Sequence, residues 1–214
     1  MSEIRPVGHV AHHWRDFFVQ IAAIAIGLLL ALALDRVVGY FHERHLLAQA
    51  RRDLKLEIEQ NQQVWTKNVA EVQRIQKELA MDLHVIQELQ SKSPPTGELD
   101  YSVGFYATID GPWQAVRQNG SLGLMPNDEL QTYAWFHEIL TSSMDAMHTV
   151  EPVLKIGAAI AGRAPLDKLT ARDLDELASK TSEAQGRLAF LSMFLQFERG
   201  GFDRLSRAAP MSSR

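Results

Sequence analysis

Between residues 17 and 34 the chain reads FFVQIAAIAIGLLLALAL, eighteen residues in which Gln20 is the one strongly polar side chain. A bilayer core about 30 Å thick takes roughly 20 apolar residues in a helix, and a run of about 18 uncharged ones already qualifies as a candidate span. Val37, Val38, Tyr40 and Phe41 carry the apolar character past Asp35 and Arg36, while His12, His13, Trp14 and Arg15 supply amphipathic groups suited to the other boundary. A buried core helix is the alternative, and the absence of any polar stripe counts against it. A cleaved signal peptide is the stronger rival, since Ala31-Leu32-Ala33 has the small-x-small form that a peptidase accepts. The stretch is longer than the roughly 7–15 residues of a signal core, and the helical pattern continues past the possible cut, so a retained single span is favoured.

Orientation is left open by the flanking charges. Arg36, Arg44, Arg51 and Arg52 follow the span, whereas Arg5 and Arg15 precede it. Counting these places the large domain in the cytoplasm, while an N-terminal signal-anchor arrangement places it in the periplasm, which is slightly favoured. Within the span, Ala23, Gly27, Ala31, Asp35 and Gly39 recur at every fourth position and form one ridge. Small residues at this spacing let two helix backbones approach closely, so the ridge is a candidate helix–helix contact, although such spacing also arises by chance.

Past the span no helix breaker occurs before Ser93-Pro94-Pro95, and the intervening residues are strong helix formers. Ile58, Trp65, Val72, Leu79 and Ile86 fall at intervals of seven, with Val69, Ile75, Leu83 and Leu89 filling the stripe. An unbroken helix from 14 to 91 would be about 115 Å long. The chain then reads as irregular to about Gly111, with a short helix opening at Pro112 and stopping at Asn119-Gly120. A further helix is expected from a cap at Asn127 to a break or kink at Pro152, followed by an apolar piece over 153–161. The last helix has Thr170 as cap with Asp173 three residues on, and Gly200-Gly201 as its expected stop.

These elements predict an all-α fold, a transmembrane helix continuous with a long rod helix that two or three antiparallel return helices pack distally. The expected divisions are an N-terminal tail (1–16), a transmembrane anchor (17–41), a membrane-proximal stalk (42–57), a helical bundle (58–208) and a flexible tail (209–214). The return helices are too short to reach residues 37–56 by this reckoning, so Phe41, Leu46, Leu47 and Leu54 need other cover, which self-association of the stalk would supply. In the last helix, LAFLSMFLQF over 188–197 is apolar nearly all round but too short to cross a bilayer. Its Leu188, Phe190, Leu191, Phe194, Leu195 and Phe197 read as deep core or as an interaction patch.

The order of motifs resembles a widespread group of uncharacterised bacterial single-span proteins, a domain of unknown function. The residues carrying the resemblance are Gly27 to Asp35, then Leu54, Glu57 and Asn61, then Trp113, Gly120-Ser121-Leu122, Leu124-Met125, Leu130 and Tyr133. This chain has Asp35-Arg36 after the span where many members have Asn-Trp. The resemblance implies an inner-membrane helical protein and supplies no catalytic residues.

Composition narrows the chemistry. Among 214 residues there are 22 basic and 26 acidic side chains, a formal charge of −4, so no concentrated basic face marks nucleic acid as a partner. There is no cysteine, which excludes disulfide scaffolds, thiolate metal sites and cysteine nucleophiles. His9 and His12, and His42 and His45, are spaced one turn apart but lie at opposite ends of the span, and a pair without a third ligand is a weak metal candidate. Asp145, His148 and Glu151 share part of a helix face, yet a di-metal bundle needs two Glu-x-x-His pairs. His137 reads as a core histidine with a satisfied hydrogen bond, and Trp113, Tyr133 and Trp135 as core aromatics or pocket lining. No phosphate loop, nucleophile elbow or dinucleotide fingerprint occurs. No catalytic, cofactor or metal residue is therefore assigned. The expected function is a non-enzymatic membrane-anchored interaction or assembly module, with the lipid bilayer and a second copy or another membrane protein as partners. A membrane-tethered ligand sensor is the alternative, and a helical metalloenzyme ranks third.

Overall fold

A computed structural model describes residues 10–208, and among these every regular element is helical. The elements are α1 (Val10–Gln90), α2 (Gly111–Gln118), α3 (Asn127–Ala161) and α4 (Ala171–Ala208), with 3-10 turns over Ser121–Leu124 and Leu166–Lys168. The all-α expectation and the long first helix hold. The chain forms two compact units, one ending at Gln49 and one beginning at Ala50.

In the first unit every residue from 17 to 34 is exposed. This is the one helix among the described residues long and apolar enough to cross a membrane.

The second unit is a bundle built on the stripe read from the sequence. Val72, Ile75, Leu79 and Ile86 of α1 meet Met147, Val150, Val153 and Leu154 of α3 and Leu177, Leu188, Leu191 and Leu195 of α4 in one core. A second cluster joins Phe136, Leu140, Phe202 and Leu205, with Ile58, Trp65 and Tyr133 against it. The Trp65 indole N–H donates to the Leu195 carbonyl at 2.8 Å, which ties α1 to α4 between the two clusters.

Three boundaries differ from expectation, for identifiable reasons. α4 does not stop at Gly200-Gly201 but runs to Ala208, because Gly201 is used for packing: a Cβ there would lie 2.5 Å from the buried Phe136 ring. α3 passes through Pro152 without ending. Proline removes one N–H and crowds the preceding turn, but Pro152 lies on an exposed face where water can serve the freed carbonyl. The longer helices also bring the bundle further up α1 than residue 58. Ala50 and Leu54 are buried, and Arg51 makes a two-pronged ion pair with Glu129 at 2.6 and 2.8 Å. Leu54 thus has its cover inside the bundle and does not need the stalk contact expected of it.

Helix ends follow local chemistry. α1 closes at Ser91–Ser93: Lys92 adopts a left-handed φ of 57°, and the Ser93 N–H reaches back to the Glu88 carbonyl at 2.8 Å. Thr170 and Asp173 form the reciprocal box expected, with the Asp173 N–H donating to the Thr170 hydroxyl and the Thr170 N–H to the Asp173 carboxylate. At α3 the cap position is Pro126, and Asn127 is already in the helix. Asp128 and Glu129 in the first turn complement the helix dipole instead of a side-chain cap.

Candidate functional site

The segment between α1 and α2 has no regular structure, so its backbone polar groups need partners from elsewhere. A ladder of side chains on α1 provides them. Glu88 accepts from the Thr96 N–H, Asp82 from Asp100, and Glu71 from Gly104. Asn68 both accepts from the Tyr106 N–H (2.8 Å) and donates to its carbonyl (2.9 Å), and Asn61 does the same at Ile109 (2.8 and 2.7 Å). A carboxamide has the same donor–acceptor pair as a peptide edge, so each Asn stands in for one residue of a missing β-partner. Asn61, Asn68 and Asp82 are buried almost completely under the segment.

Glu57 is the last rung and opens onto something different. Its Oε2 accepts the Trp113 N–H at 2.7 Å, at the start of α2, and its Oε1 lies 3.1 Å from His137 Nε2 on α3. The Trp113 indole stacks on the His137 imidazole, with centroids 4.3 Å apart and planes 7° from parallel. Glu57 is fully buried and His137 is 6% exposed. Despite the close approach, neither Oε1 nor Nε2 has a well-aligned hydrogen bond. His137 is therefore a buried histidine, as expected, but without the satisfied bond expected of it.

Burial pushes the Glu57 carboxyl up to about 7, opposed by the Trp113 N–H. It pushes the His137 imidazole down to about 4. Both groups favour their neutral forms because an unpaired charge is costly in a low-dielectric interior. With both groups neutral, the protonated carboxyl can donate from Oε1 to Nε2, and the imidazole proton is then on Nδ1; with one proton fewer, Nε2–H donates to the ionised carboxylate and Nδ1 is an acceptor. Nδ1 has no protein partner among the described residues.

His137 forms part of the floor of a half-open groove of about 770 Å³ between α2 and α3. Trp113, Gln114 and Arg117 line it from α2, Asp110 from the preceding turn, and Leu130, Ala134, Glu138, Leu140 and Met144 from α3. Within the α3 lining, Leu130, Ala134, His137, Thr141 and Met144 recur every three or four residues, so one face of the helix forms a wall. The arrangement offers a trough of mixed polar and apolar lining with an imidazole at its floor and charges on its rim, which suits binding.

A second buried acid, Glu198 of α4, lies with Ser143 of α3 as its polar neighbour; burial pushes it up to about 7. Its Oε1 and the Ser143 hydroxyl are both unsatisfied. Asp82, also buried, is pushed up to about 6.

The residues singled out from the sequence are placed as follows. Ala23, Gly27, Ala31, Asp35 and Gly39 are all exposed, and a Cβ added at Gly27 or Gly39 would meet nothing within 4 Å. The apolar run in α4 divides by face. Leu188, Leu191 and Leu195 are core and are not available to a partner, whereas Phe190 and Phe197 are about half exposed and Phe194 sits between them, 5.0 Å from Phe190 ring to ring. Tyr133 packs on the second cluster, and Trp135 lies under the Arg204 guanidinium at 4.5 Å. His42 and His45 are exposed, His9 lies outside the described residues, and no three metal-ligating groups converge among those described. Trp113 alone of the aromatics lines the groove, so it serves as both core and pocket wall.

Sequence reading did not find the Glu57–His137 contact or the Asn ladder. The signal available was the run of polar residues, Glu57, Asn61 and Asn68, falling at four- and seven-residue spacing on one face of a helix. No family model, curated protein or solved structure matches this chain.

Proposed function

We propose that this chain is a non-enzymatic, membrane-anchored helical binding module, held in a bacterial inner membrane by residues 17–34 and taking a small ligand in the α2–α3 groove. The carrying observation is the groove of about 770 Å³ with the nearly buried His137 on its floor. Concave, largely apolar sites with a few convergent polar groups are the usual form of a ligand pocket. The chain holds no second candidate span among its described residues, so occupancy would be transmitted through a partner. The favoured side for the bundle is the periplasm.

The test is a thermal-shift screen of the full chain in detergent against a metabolite library, with hits repeated on Ala134→Trp, which fills the groove from its exposed wall. A hit that stabilises the parent and not the variant supports the proposal. If no compound shifts the melting temperature, or every hit acts equally on both, the groove is not a ligand site.

A second reading, a self-associating assembly module, is favoured by the exposed Phe190, Met193 and Phe197 on α4 together with the open ridge at Gly27 and Gly39. Native mass spectrometry from nanodiscs would report it as a defined oligomer, and a uniform monomer would count against it.

A further inference from the structure

One face of α4 has the form of half a helix–helix seam. Gly186, Phe190, Met193, Phe197 and Gly200 follow one another at intervals of four, three, four and three residues. That is the spacing with which one helix sets its side chains into the holes of another. Phe190 is 53% exposed, Met193 41% and Phe197 49%, and a Cβ at Gly186 or Gly200 would meet nothing within 4 Å. Phe194 joins the two outer rings edge to face, 5.0 Å from Phe190 and 6.4 Å from Phe197. On α1 and α3 of the bundle the exposed large hydrophobics stand singly, at Leu56, Met81, Trp135 and Ile156, and isolated ones call for no partner. The stretch from Leu188 to Phe197 also holds no charged residue. Arg187, just before it, is turned onto α3, where it donates to the Thr149 carbonyl and to the Glu183 carboxylate.

We propose that this face is a homodimer seam, packed in parallel and in register on the same face of a second copy. The inference rests on the membrane-anchored, self-associating reading above and names its contact. Within the bundle α4 runs antiparallel to α1, with Gln90 bonded to Asp175 and Trp65 to Leu195. Copies inserted with one topology enter their bundles from the same side, so two bundles facing each other across α4 run these helices in parallel. A two-fold axis then sets each seam residue against its own counterpart. Like against like tolerates no charge, and the seam has none. Area favours the same occupant. A half-exposed phenylalanine has on the order of 100 Å² left to bury, so the seam offers about 300 Å² per copy. Partners meeting from solution need roughly 800 Å² each. A copy held in the same membrane needs less, because confinement raises its effective concentration.

The chain has no cysteine, so single cysteines introduced into the full chain report contacts without background. Gly186→Cys and Gly200→Cys are treated separately with a short bis-maleimide in isolated membranes, and the adducts are weighed by mass spectrometry. Each is expected to give a dimer of twice the chain mass, while Ala70→Cys, exposed on α1, stays monomeric. The two seam positions lie about 21 Å apart along the helix. An antiparallel pair would therefore cross-link only when both variants are present together, and that result overturns the parallel register. Met193→Glu, at an exposed position that keeps the fold, is expected to lower the Gly186→Cys dimer at least about ten-fold, because two carboxylates then meet. An unchanged yield, equal cross-linking of Ala70→Cys, or an adduct to a chain of another mass removes the homodimer seam. Native mass spectrometry of the parent in nanodiscs separates this from the broader reading. An oligomer without cross-links at 186 and 200 leaves self-association standing and the α4 seam refuted, whereas a uniform monomer without cross-links refutes both.

Discussion

Glu57 is held by one firm hydrogen bond and one incomplete contact, and the difference makes its substitutions informative. With the proton on the carboxyl, Oε2 accepts the Trp113 N–H and Oε1–H faces His137 Nε2. Glutamine copies that pattern, its amide oxygen accepting and its NH₂ donating. Glu57→Gln is therefore expected to change stability by less than about 1 kcal/mol, while Glu57→Ala, which strands a buried N–H and leaves a void, costs about 2–4 kcal/mol. Urea unfolding of the two variants decides it. If Gln proved as damaging as Ala, the shared proton would have to reside on the imidazole. The adjacent glycines of α4 give a second comparison. A Cβ at Gly201 would meet Phe136 at 2.5 Å, and one at Gly200 would meet nothing within 4 Å. Gly201→Ala is expected to cost about 1–3 kcal/mol through overpacking, and Gly200→Ala to gain up to about 1 kcal/mol from helix propensity. Equal shifts in thermal melting for the two would contradict the close packing of α3 on α4.

At the scale of elements, the ladder on α1 converts an irregular segment into a fixed one. Each Asn bonds both polar groups of a single residue, so Asn61→Ala or Asn68→Ala removes the partner of a part-buried N–H and C=O at Ile109 or Tyr106. A loss of about 1–2 kcal/mol per site is expected, with Asn61→Asp nearly as costly because a carboxylate cannot donate to the Ile109 carbonyl. Hydrogen exchange would locate the effect: amides 104–113 should lose protection before those of the Leu79–Leu154–Leu188 core. Uniform loss across the bundle would mean the segment is not held separately by the ladder. The helices themselves were legible in the sequence because the repeat of Ile58, Trp65, Val72, Leu79 and Ile86 is a local pattern that one helix obeys alone. The ladder was not, because Asn61 and Asn68 look like any polar helix positions until a segment some forty residues later lies on them. Helix ends were half legible for the same reason. The Thr170–Asp173 box is settled within four residues, whereas the fate of Gly201 depends on a phenylalanine in another helix. The groove was the least legible feature, since its two walls and the carboxylate behind His137 come from three separated stretches of chain.

For the whole molecule, the buried acids set how stability depends on pH. Glu57 and Glu198 are raised from 4.5 to about 7 and Asp82 from 3.8 to about 6, each by burial. A carboxyl whose folded value is raised binds its proton more tightly in the native state, so its contribution is complete below the unfolded value and is lost as pH climbs through the folded one. His137 has the opposite sign: lowered from 6.5 to about 4, it opposes folding as pH falls through that interval. Glu57 and His137 have windows of opposite sign, so between about 4.5 and 6.5 their effects nearly cancel, leaving Asp82 and Glu198 to set the slope. Each supplies up to about 1.4 kcal/mol per pH unit across its window. Further down, the paired surface acids such as Glu71 and Asp173, whose values are lowered by Arg74 and by Thr170 with Arg163, begin to lose their partners. The bundle should therefore be most stable at about pH 4–4.5 and weaken as pH rises to about 7, opposite to a fold governed by surface ion pairs. Chemical denaturation at half-unit steps from pH 4 to 8 measures this, and Glu198→Gln should flatten the upper part of the curve. A parent profile that is level or rising from pH 5 to 8 would show that these carboxyls are not buried as neutral acids. The groove's shared proton would then have to be assigned to His137, and the acid beside it to its charged form.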